Sequence, residues 1–189
     1  MLLVPHMSIN FRPLNKYDVN YTKVIELYKE AFPGAQRIPT YLLRYKLRKG
    51  KKGFYVLYEE DDWIGLIYYT EYKDIVFVQF LAISETFRSQ GYGSKVMDLM
   101  RHTQSEKRIV LNIEELNEQA ENYQQRIKRR AFYKKNGFSS SGYIVKEPDE
   151  RHEMLIRGGS IRKEEIEAMY KNLFGHVISF FIRPKVIKI

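Results

Sequence analysis

The sequence predicts an α/β (α+β) fold in which a mixed, mostly antiparallel central sheet is flanked by helices, and three observations carry that expectation. Phe54 to Tyr58, Trp63 to Tyr72 and Ile75 to Ile83 are successive β-rich runs separated only by short turns, so they read as antiparallel neighbours. The third run leads through a glycine loop, Arg88-Ser89-Gln90-Gly91-Tyr92-Gly93, into a helical pattern and then a further β-rich run from Arg108 to Glu114. A strand, a helix and a strand at this spacing lie parallel in one sheet by the right-handed crossover rule. Apolar residues recur at helical spacing elsewhere, which supplies the covering helices.

Taken in order, Ile9 to Pro13 reads as a short first strand and Asp18 as the N-cap of a helix. Val24, Ile25, Leu27, Tyr28, Ala31 and Phe32 form its apolar face, and Pro33-Gly34 stops it. A second helix is expected from Pro39 to Lys49, with Leu42, Leu43 and Leu47 inward and basic residues outward. Glu59-Glu60-Asp61-Asp62 forms a hairpin tip that stays in water, and Lys73-Asp74 turns the chain into the run Ile75 to Ile83. That run is almost unbroken in its apolar character, as expected of a strand buried on both faces. In the next helix Tyr92, Val96, Leu99, Met100 and Thr103 are expected to share the buried face.

Ser139 to Val145 and His152 to Arg157 make a last hairpin around Pro148-Asp149-Glu150. Gly158-Gly159 reads as a hinge, and Ser160 caps a helix with Ile166, Met169, Tyr170, Leu173 and Phe174 on one face, ending at Gly175. Val177 to Ile182 then reads as a strand, interrupted by Pro184 and resumed from Val186 to Ile189. The expected organisation is one domain over 1–158 with a helix-strand extension of the same domain over 159–189. Because the extension is strongly apolar, it needs a sheet edge. Exchange of this tail between two protomers, giving a homodimer, is expected; folding back on the same chain is the alternative.

The chain has 189 residues, 44% of them apolar and 14% aromatic, enough for a real core. With no cysteine it has no disulfide framework and no thiol nucleophile, and no metal cofactor is expected. No window approaches a membrane span, and the start Met1-Leu2-Leu3-Val4-Pro5-His6 lacks the charge of a signal peptide, so a cytoplasmic protein without a membrane partner is expected. The net charge of +9 is concentrated in two stretches without acids, six basic residues of nine over Arg44 to Lys52 and six of ten over Arg126 to Lys135. Such runs are usually solvated faces, but they also suit a ligand carrying several phosphates. A nucleic-acid partner ranks last, since neither a helix-turn-helix nor a basic-aromatic repeat is present.

The glycine loop carries chemistry of its own. The first turn of a helix exposes unpaired N–H groups at the positive end of its dipole, and Gly91 and Gly93 let a phosphate approach without meeting a Cβ. Leu81-Ala82-Ile83 followed by Arg88-x-x-Gly91-x-Gly93 resembles the coenzyme A signature of the GNAT (GCN5-related) N-acetyltransferases, and Phe132-Tyr133-Lys134-Lys135-Asn136-Gly137-Phe138 resembles that family's F-Y-x-K-x-G-F. The resemblance spans about Ile9 to Arg157 and implies a GNAT-like sheet and acetyl-CoA as cosubstrate. It further implies a small-molecule or peptide amine as acceptor.

By the same resemblance, Leu81 and Ile83 supply backbone hydrogen bonds to the pantetheine arm, and Arg88, Gln90, Gly91, Gly93, Ser94 and Lys95 hold the pyrophosphate. Tyr133 is the general acid that protonates the leaving thiolate, a task a phenol can perform across one hydrogen bond. Glu114 and Glu71 are candidates for the base. The sequence departs from the family where Asn117-x-x-Ala120 precedes the F-Y pair by several residues more than in many members, which leaves Tyr123 as the other candidate donor. Either the helix is extended here or an inserted segment precedes it. Without a cysteine to hold an acyl group, transfer is direct, in a ternary complex. A non-catalytic acyl-CoA-binding or sensing module on the same fold is the alternative.

Overall fold

The computed structural model describes residues 9–15, 17–32, 53–146, 150–181 and 185–189, with backbone alone over 174–181. The expected helix from Pro39 to Lys49, the stop at Pro33-Gly34, the basic run to Lys52 and the Pro148-Asp149 tip lie outside the described residues. The elements are β1 (Ile9–Pro13), α1 (Tyr21–Ala31), β2 (Phe54–Glu59), β3 (Asp62–Tyr72), β4 (Ile75–Ile83), α2 (Tyr92–Thr103), β5 (Arg108–Glu114), α3 (Tyr123–Lys135), β6 (Ser139–Lys146), β7 (Arg151–Arg157), α4 (Lys163–Phe181) and β8 (Lys185–Lys188). A 3₁₀ turn over Glu85–Phe87 joins β4 to the glycine loop.

The sheet has the order β1-β2-β3-β4-β5-β7-β6-β8. β4 and β5 are parallel, with Ile75 opposite Arg108 and Val78 opposite Leu111, as the crossover rule requires. The pairings β1/β2, β2/β3, β5/β7, β6/β7 and β6/β8 are antiparallel. Contacts group the chain into two units, Met1–Tyr69 with Phe80–Met100 and Thr70–Gln79 with Arg101–Ile189.

In the first unit α1 buries Val24, Ile25, Leu27 and Tyr28 against Phe54, Val56, Tyr58, Leu66, Tyr68, Phe80 and Ala82. Tyr28 meets Phe80 edge-on at 5.0 Å, and Phe32 meets Phe80 at 4.7 Å, the geometry that aromatic quadrupoles favour. The cap of α1 is Asn20 rather than the expected Asp18. Asp18 instead orders the turn before the helix, its Oδ1 accepting the Asn20 N–H at 2.8 Å and the Tyr58 hydroxyl at 3.2 Å. α2 buries Tyr92, Val96, Met97 and Met100, so Met97 takes the place expected for Thr103, which is exposed. β3 lies so close to β4 that a Cβ on Gly65 would stand 2.2 Å from the Ala82 carbonyl oxygen. Gly65→Ala should therefore destabilise the protein by about 2 kcal/mol in urea denaturation, as backbone must move to admit it. A loss below about 0.5 kcal/mol would show that the two strands separate easily.

In the second unit α4 places Ile166, Met169 and Tyr170 on Phe77, Val110, Val145, Met154 and Ile156. The Asn112 amide donates to the Tyr170 hydroxyl at 2.6 Å. Arg108 ties the helix down, its guanidinium meeting Asp74 at 2.7 and 2.9 Å, Glu165 at 2.8 Å and the Ser160 carbonyl at 2.7 Å. Ser160 is not the cap that its position suggests. The helix begins at Lys163, where Glu165 reaches back to accept the Arg162 N–H at 2.9 Å.

Two further expectations for the tail are corrected. α4 does not end at Gly175, and Val177 to Phe181 is helix rather than strand. A short apolar run has no period that separates a strand from a buried helix, and one internal glycine costs a helix only about 1 kcal/mol. β8 is a strand as expected and pairs with β6 of its own chain, Lys188 opposite Tyr143 and Lys185 opposite Lys146. No helix among the described residues is long and apolar enough to cross a membrane.

Candidate active site

The glycine loop begins where β4 ends. Leu81 and Ile83 are half-buried on either side of the buried Ala82, and the Ile83 carbonyl accepts the Arg88 Nε–H at 3.0 Å. Arg88 also reaches Glu30 on α1 at 3.2 Å. The Gln90 amide donates to the Thr86 carbonyl at 2.7 Å and so braces the loop on its own 3₁₀ turn. Ser89 and Gly91 both have left-handed backbone, φ +63° and +85°. A Cβ on Gly91 would meet nothing within 4 Å, so the space before it is open. Gly93 and Ser94 lie in the first turn of α2. The first bond back from this turn is the Lys95 N–H to the Gly91 carbonyl at 3.1 Å, which leaves the preceding N–H groups without a helical partner.

Lys95 is less available than its sequence position suggests. Its ammonium donates to Glu59 at 3.1 Å and lies 4.5 Å from the centre of the Tyr92 ring. Glu59, expected in water at the hairpin tip, is only 6% exposed, and it also accepts the Tyr92 hydroxyl. Sequence reasoning missed this residue. The one available signal was that Glu59 continues β2 directly after the apolar run Phe54 to Tyr58.

In the second unit the residues of interest lie on β5 and α3. α3 begins at Tyr123, directly after the turn in which the Asn117 side chain accepts the Gln119 N–H at 3.0 Å. The additional length before Phe132-Tyr133 is thus helix. It places Tyr123 and Tyr133 ten residues apart, about 15 Å along the axis. Asn136-Gly137 ends α3: the Asn136 amide donates to the Phe132 carbonyl at 2.8 Å, and Gly137 takes φ +81°. The Tyr133 ring stands edge-on to Phe132 at 5.0 Å and Phe138 at 5.6 Å. Burial pushes its hydroxyl up to about 12, with the Arg129 charge opposing and Glu114 adding to the rise.

Glu114 ends β5, buried and bonded to the Arg129 guanidinium. Burial raises its carboxyl, but the hydrogen bond and charge of Arg129 outweigh that and hold it below the ordinary carboxylate value. Glu71 is exposed and paired with Lys107. Of the basic run on α3, Arg126 binds Glu150 at 2.6 Å, Arg129 binds Glu114 and Arg130 binds Glu153 at 2.8 Å. Lys128, Lys134 and Lys135 are exposed and carry its outward charge.

A parallel β4/β5 pair in a mostly antiparallel sheet, with a glycine loop running from β4 into a helix, defines the fold class of an acetyltransferase. The sequence points to the particular family, since residues 50–140 match the Acetyltransferase (GNAT) domain. Over that stretch the chain is similar to the acetyltransferase domain of the GNAT family. Among curated proteins no sequence matches the chain.

Solved structures share the fold. A protein of Bacteroides thetaiotaomicron assigned to the GNAT acetyltransferases is 22% identical over 89% of this chain and 97% of its own, with a TM-score of 0.69. Naa50 of Arabidopsis thaliana, solved with the bisubstrate analogue CoA-Ac-MVNAL, is 19% identical over 80% of this chain and 99% of its own, at 0.54. An acetyltransferase of Bacillus subtilis in complex with CoA is 13% identical over 80% and 97%, at 0.56.

Proposed function

We propose that the protein binds acetyl-CoA through the glycine loop and transfers its acetyl group directly to a primary amine in a ternary complex. The observation that carries this reading is the left-handed Gly91, open to space, directly before the unpaired N–H groups of α2. Such a turn suits a diphosphate, and the solved relatives that hold CoA or a CoA analogue support the choice of ligand. Leu81 and Ile83 offer backbone groups to the pantetheine arm, while Gly91, Gly93 and Ser94 receive the phosphates. Arg88 and Gln90 shape the loop from behind.

In the reaction the amine nitrogen attacks the thioester carbonyl, a C–N bond forms and the C–S bond breaks. Tyr133 gives its proton to the departing sulfur. The amine proton leaves through water, for which Glu114 on β5 is the candidate base. The acceptor is a small-molecule or peptide amine, and the peptide analogue bound by Naa50 is consistent with the latter.

Gly91→Val should lower acetyl-CoA affinity about tenfold or more in calorimetry. Since a side chain there meets no protein atom, the loss reads the backbone conformation and the phosphate's approach rather than a clash within the chain. Unchanged affinity in this variant would overturn the phosphate site. The alternative, a non-catalytic acyl-CoA-binding or sensing module, is favoured by one observation: Arg129 holds Glu114 and weakens it as a base. Thiol release on mixing with acetyl-CoA and a panel of amines separates the two, because the sensing module releases none.

A further inference from the structure

We propose that Glu59 is the positioning residue of the phosphate-binding turn, holding the start of α2 in place through the Tyr92 hydroxyl and the Lys95 ammonium. The proposal rests on the reading of the glycine loop as the coenzyme A phosphate site. Glu59 is the last residue of β2 and is 6% exposed. A carboxylate buried to that degree is costly unless its oxygens are paired. Here both are used: Oε2 accepts from Tyr92 and Oε1 accepts from Lys95 at 3.1 Å.

Both partners belong to one turn of one helix. Tyr92 is the first residue of α2 and Lys95 follows three positions later, the spacing that puts two side chains on one face. Tyr92 is fixed further by the Phe87 ring, edge-on at 5.4 Å, and by the Lys95 ammonium over its own ring. The carboxylate thus joins β2 to the helix start, the Phe87 ring joins the 3₁₀ turn to the same tyrosine, and together they stop the turn that carries the unpaired N–H groups from pivoting.

The charges are consistent with this role. A bare carboxylate beside an anion site would repel the anion, but here Lys95 balances the charge of Glu59. The hydrogen bond from Tyr92 pulls the Glu59 carboxyl down, against burial and together with Lys95. The same bond pushes the Tyr92 hydroxyl up, so the proton stays on the phenol and the charge on the carboxylate. Lys95 is therefore engaged with Glu59 before any phosphate arrives.

A ligand role for Lys95 and a positioning role for Glu59 predict opposite signs. If Lys95 were a phosphate ligand restrained by Glu59, releasing it would tighten binding; if Glu59 positions the turn, weakening its bonds loosens binding. Acetyl-CoA Kd by calorimetry, and KM and kcat by thiol release, would be measured for the parent, Tyr92→Phe, Glu59→Gln and the double variant, each checked for folding by circular dichroism. Tyr92→Phe, the milder change, should raise Kd and KM about tenfold. Its kcat should stay within about twofold of the parent, a split that general loss of structure would not produce.

The double variant should lose little more than the weaker single variant, because Glu59 acts through Tyr92. Binding by Glu59→Gln as tight as the parent's or tighter, or losses that multiply in the double variant, would overturn the proposal. A parent that fails to bind acetyl-CoA would overturn the reading of the loop itself. A parent that binds alongside an unaltered Tyr92→Phe would overturn only the role of Glu59.

Discussion

Tyr133→Phe is expected to lower turnover about a hundredfold and to leave acetyl-CoA affinity nearly unchanged. The substitution keeps the ring, and therefore its edge-on contacts with Phe132 and Phe138, and removes only the donor. A hundredfold is the low end of what a general acid contributes, and the environment of Tyr133 argues for that end. Burial pushes the hydroxyl up to about 12, so it holds its proton throughout the neutral range but is a weaker acid than a free phenol. As the proposed acid it would act by hydrogen-bonding the thiolate as charge develops there, an interaction that is strongest in the transition state.

The pH dependence follows with a definite sign. Because the folded value lies above the ordinary 10.0 of tyrosine, the donor is retained up to about pH 10 and lost as pH rises through about 12. The stability that the protonated form contributes disappears over the same window. A kcat loss below about threefold would assign the proton to another group, with Tyr123→Phe as the comparison.

Arg108→Met is expected to cost about 3 kcal/mol of stability in urea denaturation, through the docking of α4. The Arg108 side chain is 16% exposed, and its partner Glu165 is 24% exposed, so this is not a pair that water readily replaces. Removing the cation leaves Glu165 facing Asp74 with Arg162 as its remaining partner. The pair is also linked to acid. The hydrogen bond from Arg108, with help from the Arg162 N–H, pulls Glu165 down to about 2 against burial. The hydrogen bond from Arg108 likewise lowers Asp74.

A depressed carboxyl contributes stability that is present above the unfolded value of 4.5 and lost as pH falls through about 2. Parent and variant should therefore differ at pH 7 and converge towards pH 2, and amide exchange in α4 should be faster in the variant at neutral pH. A difference at pH 7 below about 0.5 kcal/mol would mean that the network behaves as an ordinary surface pair.

Local signals were enough for much of the scaffold. The run Ile75 to Ile83 became β4 with those bounds because nine residues of nearly continuous apolar character leave little else for the chain to do. Asn136-Gly137 was legible as a helix stop because a left-handed residue after a helix strongly favours glycine. The glycine loop was legible for a similar reason, and the parallel pairing of β4 and β5 followed from handedness.

Charged side chains were another matter, because their partners are far away in the chain. Glu59 reads locally as a turn acid, and only tertiary structure brings it to Tyr92, 33 residues on, and to Lys95, 36 residues on. The same holds for Arg88, committed to Glu30 across 58 residues, and for Arg108, committed to Glu165 across 57. Val177 to Phe181 shows the matching limit for apolar residues. Such a run specifies burial but has no period, so the surroundings decide between helix and strand. The sequence by itself determined which residues must be buried and where the backbone must turn, since those preferences are local. Tertiary structure decided which charges are spent on holding the fold and which remain for a ligand, since a charge is assigned by whatever lies beside it in space.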